Sequence, residues 1–273
     1  MSDPTLGGDG RAGPVERLVP PLLELADRER ERFDQRWLRK HPASDPQAGS
    51  TWWAPRSRSW WIAVLFAIGS ILFALGALPA YALAVGPTPT AITFFVGSLF
   101  FTSAATLQYR EAVISVPPPG DEGHRPRRWL VWAPGRPGWS ASAVQLAGTL
   151  WFNLSTGYAI QVDLTAAAAD AHVWRPDALG SIAFLVASTL AWTEVCRGWW
   201  AWRPGSIGWW VTVANLIGSV AFGVSAVASY VVPTTDTLRN VAWSNLGTFV
   251  GAICFLVGAV LLLPERTAAA PAT

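Results

Sequence analysis

Apolar and polar positions in this chain separate into blocks instead of alternating. Apolar stretches at 60–81, 91–109, 140–161, 178–193, 209–230 and 242–263 stand between shorter polar segments. The hydrocarbon core of a bilayer takes about 20 helical residues at a rise of 1.5 Å each. The first, fifth and sixth stretches meet that length, and the second is adequate. The third is interrupted by Gln145 and Asn153, and the fourth is short. The pattern predicts an all-α integral membrane protein with six transmembrane helices, arranged as three tandem helical hairpins. A further helix, over about 21–40, precedes them. Its sequence PLLELADRERERFDQRWLRK puts Phe33 and Trp37 on one face and pairs Arg30 with Asp34, as an amphipathic cytosolic helix would.

The hairpins carry a repeated frame. The stretch WWAPRSRSWW (52–61) opens the pattern W-x-P-x4-W-x8-G-[ST]-x2-F, with Trp53, Pro55, Trp60, Gly69, Ser70 and Phe73. It recurs as Trp132, Pro134, Trp139, Gly148, Thr149, Phe152, and again as Trp202, Pro204, Trp209, Gly218, Ser219, Phe222. A second pattern, G-x3-F-x9-E, follows each time, at Gly97/Phe101/Glu111, Gly180/Phe184/Glu194 and Gly251/Phe255/Glu265. Membranes supply Gly and Phe freely, but agreement of the rarer Trp and Pro at fixed spacing indicates internal triplication. The short fourth stretch takes its register from its equivalents in the other hairpins.

The resulting organisation is a cytosolic N-terminal segment (1–51, disordered at 1–13 and 41–51), hairpin one at 52–111, and a loop at 112–131. Hairpin two spans 132–194, hairpin three 195–265, and a disordered tail 266–273. The loop contains VPPPGDEGHRPRR, which is too rich in Pro, Gly and charge to be anything else.

Composition supports the membrane reading. Apolar residues make up 51% of the chain and charged residues 14%, against about a quarter in soluble proteins. Residues 1–59 hold ten of the 20 Lys+Arg and nine of the 18 Asp+Glu, which leaves the hairpins nearly uncharged. With six spans, one side collects 18 basic residues and the other only Arg175 and Arg239. The positive-inside rule then puts both termini in the cytosol. Twelve of the 17 tryptophans fall on that same boundary, where a generic aromatic belt would populate both faces. The frame residues Trp53, Trp60, Trp132, Trp139, Trp202 and Trp209 are therefore expected as interface anchors. No secretory signal is expected in the polar first 60 residues. Lysine occurs once, at Lys40, against 19 arginines, and with abundant Ala, Gly and Pro this points to a GC-rich bacterial genome and a plasma-membrane location. A net charge of +2 gives no reason to expect nucleic acid as a partner.

Candidate chemistry is sparse. The three histidines, His41, His124 and His172, all lie outside the predicted spans, and the two cysteines, Cys196 and Cys254, form no CxxC pair. No haem, metal or other cofactor is expected, and no nucleophile has a visible base; the chain is read as a non-enzyme. The glycines Gly69, Gly148, Gly218, Gly97, Gly180 and Gly251 are expected to let helices approach closely, with Gly247 adding to the small face of the last helix. Glu111, Glu194 and Glu265 oppose the helix dipole at three helix C-termini, which calls for a boundary ion pair or a ring at the mouth of a passage. Gln145 and Asn215 occupy one repeat position, which Phe66 takes in the first hairpin; Asn153 and Asn245 are further amides needing interhelical partners.

NLIGSVAF (215–222), followed by NLGTFVGAICFLVGAVLLLPE (245–265), resembles the YrhK-like domain, a two-helix bacterial membrane module. AIGSILF and FFVGSLF of the first hairpin look similar; the middle hairpin, with LAGTLWF, departs further. The resemblance implies an integral membrane protein and no particular activity. An accessory, structural or sensing role is the leading expectation. A small-solute channel or transporter between the hairpins is the first alternative, and a scaffold binding anionic lipids through the Trp and Arg clusters the second. A homo-oligomer or a membrane-protein partner fits each of them.

Overall fold

The structure, a computed structural model, describes residues 52–114, 131–161, 163–232, 234–235, 237–265 and 267. The helix expected over 21–40, the disorder expected before 52, most of the 112–131 loop and most of the tail lie outside the described residues. Nearly everything described is helical. The long helices are α1 (Arg58–Gly76), α3 (Pro87–Ile114), α4 (Pro137–Tyr158), α6 (Arg175–Cys196), α7 (Ile207–Ala228) and α8 (Val241–Glu265). Between them lie the short helices α2 (Pro79–Val85) and α5 (Ala166–Ala169), a π-helical turn at Asp170–Trp174, and a minimal hairpin of β1 (Val231–Val232) and β2 (Thr237–Leu238).

Five of these elements are long and apolar enough to cross a membrane: α1, α3, the continuous run Ala166–Cys196, α7 and α8. Helix α4 has 22 residues, but PGWSASAVQLAGTLWFNLSTGY is too polar to qualify on composition. The sequence ranked the α6 region weakest, and the structure reverses that order. Residues 166–174 extend the helical run before α6, and Arg175 in its first turn is neutralised by Asp170 at 2.8 Å. That run also carries Asp177 into helix, one residue ahead of the apolar stretch at 178–193.

Two other boundaries move for local reasons. The first stretch was expected to run to 81, but Leu78 is extended (φ −77°, ψ 119°), as a residue before proline tends to be, and Pro79 starts α2 instead. Gly86 then adopts φ +85°, ψ 175°, a conformation reserved for glycine, and Pro87 opens α3 four residues earlier than expected. At its other end α3 continues to Ile114, past the Glu111 boundary.

Each long helix packs on the long helices before and after it in sequence, and α8 closes back onto α1, so the six form a ring. The ring is turned inside out relative to a soluble bundle. Its inner surface is Gly, Ala, Ser and Phe, while aliphatic side chains such as Ile71, Leu150, Ile182 and Val227 are more than half exposed on the outside. Water would penalise such a surface, and lipid chains would not.

Candidate functional site

The Trp–Pro frame is a local structure that starts a helix. In each copy the proline sits at the second position of a β-turn, closed by Ser57 N–H to Ala54 O (2.9 Å), Arg136 N–H to Ala133 O (3.0 Å) and Ser206 N–H to Arg203 O (3.0 Å). The proline carbonyl then accepts from the residue six further on: Trp61 Nε1 (2.8 Å), Ser140 Oγ (3.0 Å) and Trp210 Nε1 (2.9 Å). The two frame tryptophans pack edge to face, with ring centroids 5.3 Å apart for Trp53–Trp60, 5.4 Å for Trp132–Trp139 and 5.0 Å for Trp202–Trp209. Within each pair the roles split. Trp60, Trp139 and Trp209 are buried in protein, whereas Trp53, Trp132 and Trp202 are exposed. Trp60 and Trp209 give their indole N–H to the carbonyls of Trp52 and Ala201, but the buried Trp139 Nε1 has no partner among the described residues.

Sixteen to twenty residues into the frame, the glycines and phenylalanines interlock. A Cβ on Gly69 would lie 2.7 Å from the Phe101 ring, and one on Gly97 would lie 2.9 Å from Phe73, as expected of two antiparallel helices in contact. Gly148 faces Phe184 (2.8 Å) and Gly180 faces Phe152 (3.2 Å); Gly218 faces Phe255 (2.9 Å) and Gly251 faces Phe222 (2.9 Å). Each glycine is the socket for a ring from the paired helix. Gly247 brings the backbones closer still, since a Cβ there would be 2.7 Å from Ala221 O and 2.8 Å from Ser225 N.

The six rings delivered this way meet on the ring axis. Phe73, Phe101, Phe152, Phe184, Phe222 and Phe255 are all buried, and their centroid separations run from 5.1 Å (Phe152–Phe184) to 6.4 Å (Phe73–Phe152). They form an apolar plug across the bundle. The hydroxyls beside the glycines are fully buried: Thr149 donates to Leu146 O, and Ser219 donates to Asn215 O and meets Ser188 Oγ at 2.7 Å. Ser70 Oγ has no partner among the described residues.

Between the plug and the Glu-bearing ends of α3, α6 and α8 lies a cavity of about 60 Å³. Phe66 and Phe255 form apolar wall, and the polar wall comes from Gln108 and Glu111 of α3, Ser142 and Gln145 of α4, Ser188 of α6, and Thr212 and Asn215 of α7. The space holds a few water-sized molecules. Among the described residues, neither the Gln145 nor the Asn215 side-chain amide has a hydrogen-bond partner, though both are half-buried. Gly258 makes room for one of them, because a Cβ there would stand 2.5 Å from Asn215 Oδ1.

The structure thus brings together two of the four amides singled out from sequence. Asn153 lies one residue past the plug, with its Oδ1 buried and without a partner among the described residues, and Asn245 is the fifth residue of α8; neither lines the cavity. Glu111, Glu194 and Glu265 are all buried, and all three are engaged by neighbours; Glu111 accepts from Ser59 Oγ at 2.9 Å. Only Glu111 reaches the cavity wall, so the three do not form a ring around it. Sequence reasoning missed Ser142 and Thr212. A signal existed, since each precedes its amide by three residues and therefore shares its helix face.

Comparison with protein-family models, with curated proteins and with solved structures gives no match for this chain. The class rests on the fold itself: five long apolar helices with an apolar exterior mark a membrane-embedded helical protein.

Proposed function

We propose that the chain is a non-enzymatic six-helix protein of a bacterial plasma membrane, built from three tandem YrhK-like hairpins, with an accessory, structural or sensing role. In this reading α4 is the sixth span. Its Gln145 faces inward to the cavity while Leu150 and Leu154 face outward, so its polarity is spent inside the ring. The triplication is supported by three turns, three Trp pairs and three reciprocal Gly–Phe locks with the same geometry. The frames and both termini are cytosolic, as the arginine distribution requires. Exposed frame tryptophans and arginines meet lipid headgroups there, anionic ones included.

The observation that carries the role is the plug. Six buried phenylalanine rings in mutual contact close the axis, which suits a packed module and not an open passage. Two experiments test this reading. In a background with Cys196 and Cys254 replaced, Trp132→Cys and Trp202→Cys should be protected from an impermeant thiol reagent in intact cells, while Asp163→Cys and Thr235→Cys react. The opposite pattern would invert the topology. Proteoliposomes should show no flux of small solutes or ions; a robust flux would favour the channel alternative, to which the cavity lends its one specific argument.

A further inference from the structure

We infer that the cavity between the plug and Glu111 binds one small monovalent cation, of the size of ammonium or potassium. The wall presents hydroxyl and carboxylate oxygens together with the amides of Gln108, Gln145 and Asn215, each of which can turn either its oxygen or its NH2 to the cavity. A hydroxyl has one proton to give. Ser142 gives its proton to Trp139 O at 2.9 Å, and Thr212 gives its own to Trp209 O at 2.9 Å or Gly208 O at 3.1 Å. Ser188 is bonded to Ser219 Oγ at 2.7 Å, with Asn215 O within 3.3 Å. What these groups can offer the cavity is therefore acceptor capacity.

The amides of Gln145 and Asn215 are the second observation. Both border the cavity with no partner among the described residues, so each is free to turn its carbonyl oxygen to a cation and its NH2 away. Among the described residues no Lys, Arg or His lines the wall, so the amide N–H groups are the donors left for an anion, and the Glu111 carboxylate repels one. A divalent cation takes about six to eight oxygens and usually several carboxylates, and among the described residues Glu111 is the one carboxylate in the wall. A set of neutral oxygens with a single acid at its edge matches a monovalent ion, as carbonyl rings do in potassium filters. The cavity volume of about 60 Å³ takes such an ion with one or two of its waters. The phenylalanine floor then makes the site blind: an ion enters and leaves from the Glu111 end. This rests on the proposed function only for which side of the membrane that end faces.

The test uses the full chain in detergent, so it does not depend on topology. Its melting temperature is followed in ammonium, potassium and sodium chloride against choline chloride at equal ionic strength. A saturable rise of about 3–5 °C at ten times the dissociation constant is expected with ammonium or potassium and not with choline. Asn215→Leu and Gln145→Leu should melt like the wild type in choline and lose the rise. An equal response to all four salts would mean that the cavity holds water only, and would overturn the inference; so would a rise that survives in both variants. If both variants fail to fold, rubidium-86 binding to the wild type decides. One site per chain, displaced by ammonium and not by choline, is the expected result, and no displaceable binding overturns it.

Discussion

The two halves of the bundle, on either side of the phenylalanine plug, use similar polar residues to opposite ends. On the side away from the tryptophan frames, hydroxyls and one indole zip helices together, while Asn153 Oδ1 stays buried without a partner among the described residues. Ser98 meets Thr156 at 3.0 Å, Ser225 meets Thr248 at 2.7 Å and donates to Ser244 O at 2.8 Å, and Trp174 donates to Ala226 O at 2.9 Å. On the frame side, the Gln145 and Asn215 side chains stand at a cavity with no partner among the described residues. Polarity inside a membrane protein is therefore not one signal. A hydroxyl that finds a neighbouring helix is structural, and an amide left facing a space implies that something else occupies the space.

Breaking the divider should have the largest effect. Phe184 is the most deeply buried of the six rings and touches four others at 5.1–6.4 Å. Phe184→Ala should cost about 3–5 kcal/mol, read as a fall in denaturation midpoint, and the two halves should then communicate as an ion leak in liposomes. Gly247→Val forces a side chain into the backbone at Ala221 and Ser225, and a loss of about 3 kcal/mol is expected, with much reduced yield of folded protein. Ser225→Ala removes a hydroxyl that is partnered on α8, which should cost about 0.6–1.7 kcal/mol. Asn215→Leu, on the other side, loses no protein partner and should change stability in the absence of ligand by no more than about 0.5 kcal/mol. Comparable losses from the last two substitutions would erase the distinction between the halves.

Legibility in the sequence followed the rarity of the residues. Trp and Pro at fixed spacing exposed the frames, and the frames aligned Gly and Phe, whose interlock the structure then displays at all six glycines. The Phe plug itself was not foreseen. Its residues were in the repeat pattern, but nothing in one helix says that six rings converge on an axis, since convergence depends on ring closure by α8 on α1. The α6 region was under-read because Asp170 and Arg175 count as two charges in sequence and as one neutral pair in space. The tryptophan pairs look equivalent as letters, yet one member is buried and one exposed, because the turn at the proline folds the first back over the second. The cavity was half visible. Gln145 and Asn215 marked it, but Asn153 and Asn245 carried equal weight in the sequence, and only their position relative to the plug separates them.

The central claim is that a sealed apolar plug divides a wet half from a dry one. Helix α4 allows it to be tested on a single element, because Gln145 borders the cavity and the buried Ser155 lies beyond Phe152. In a background with Cys196 and Cys254 replaced, the rates at which Gln145→Cys and Ser155→Cys react with a small charged thiol reagent are compared in purified protein. The account predicts reaction at position 145 and protection at 155 until Phe152 or Phe184 is truncated. Equal rates at the two positions with all six rings intact would contradict it.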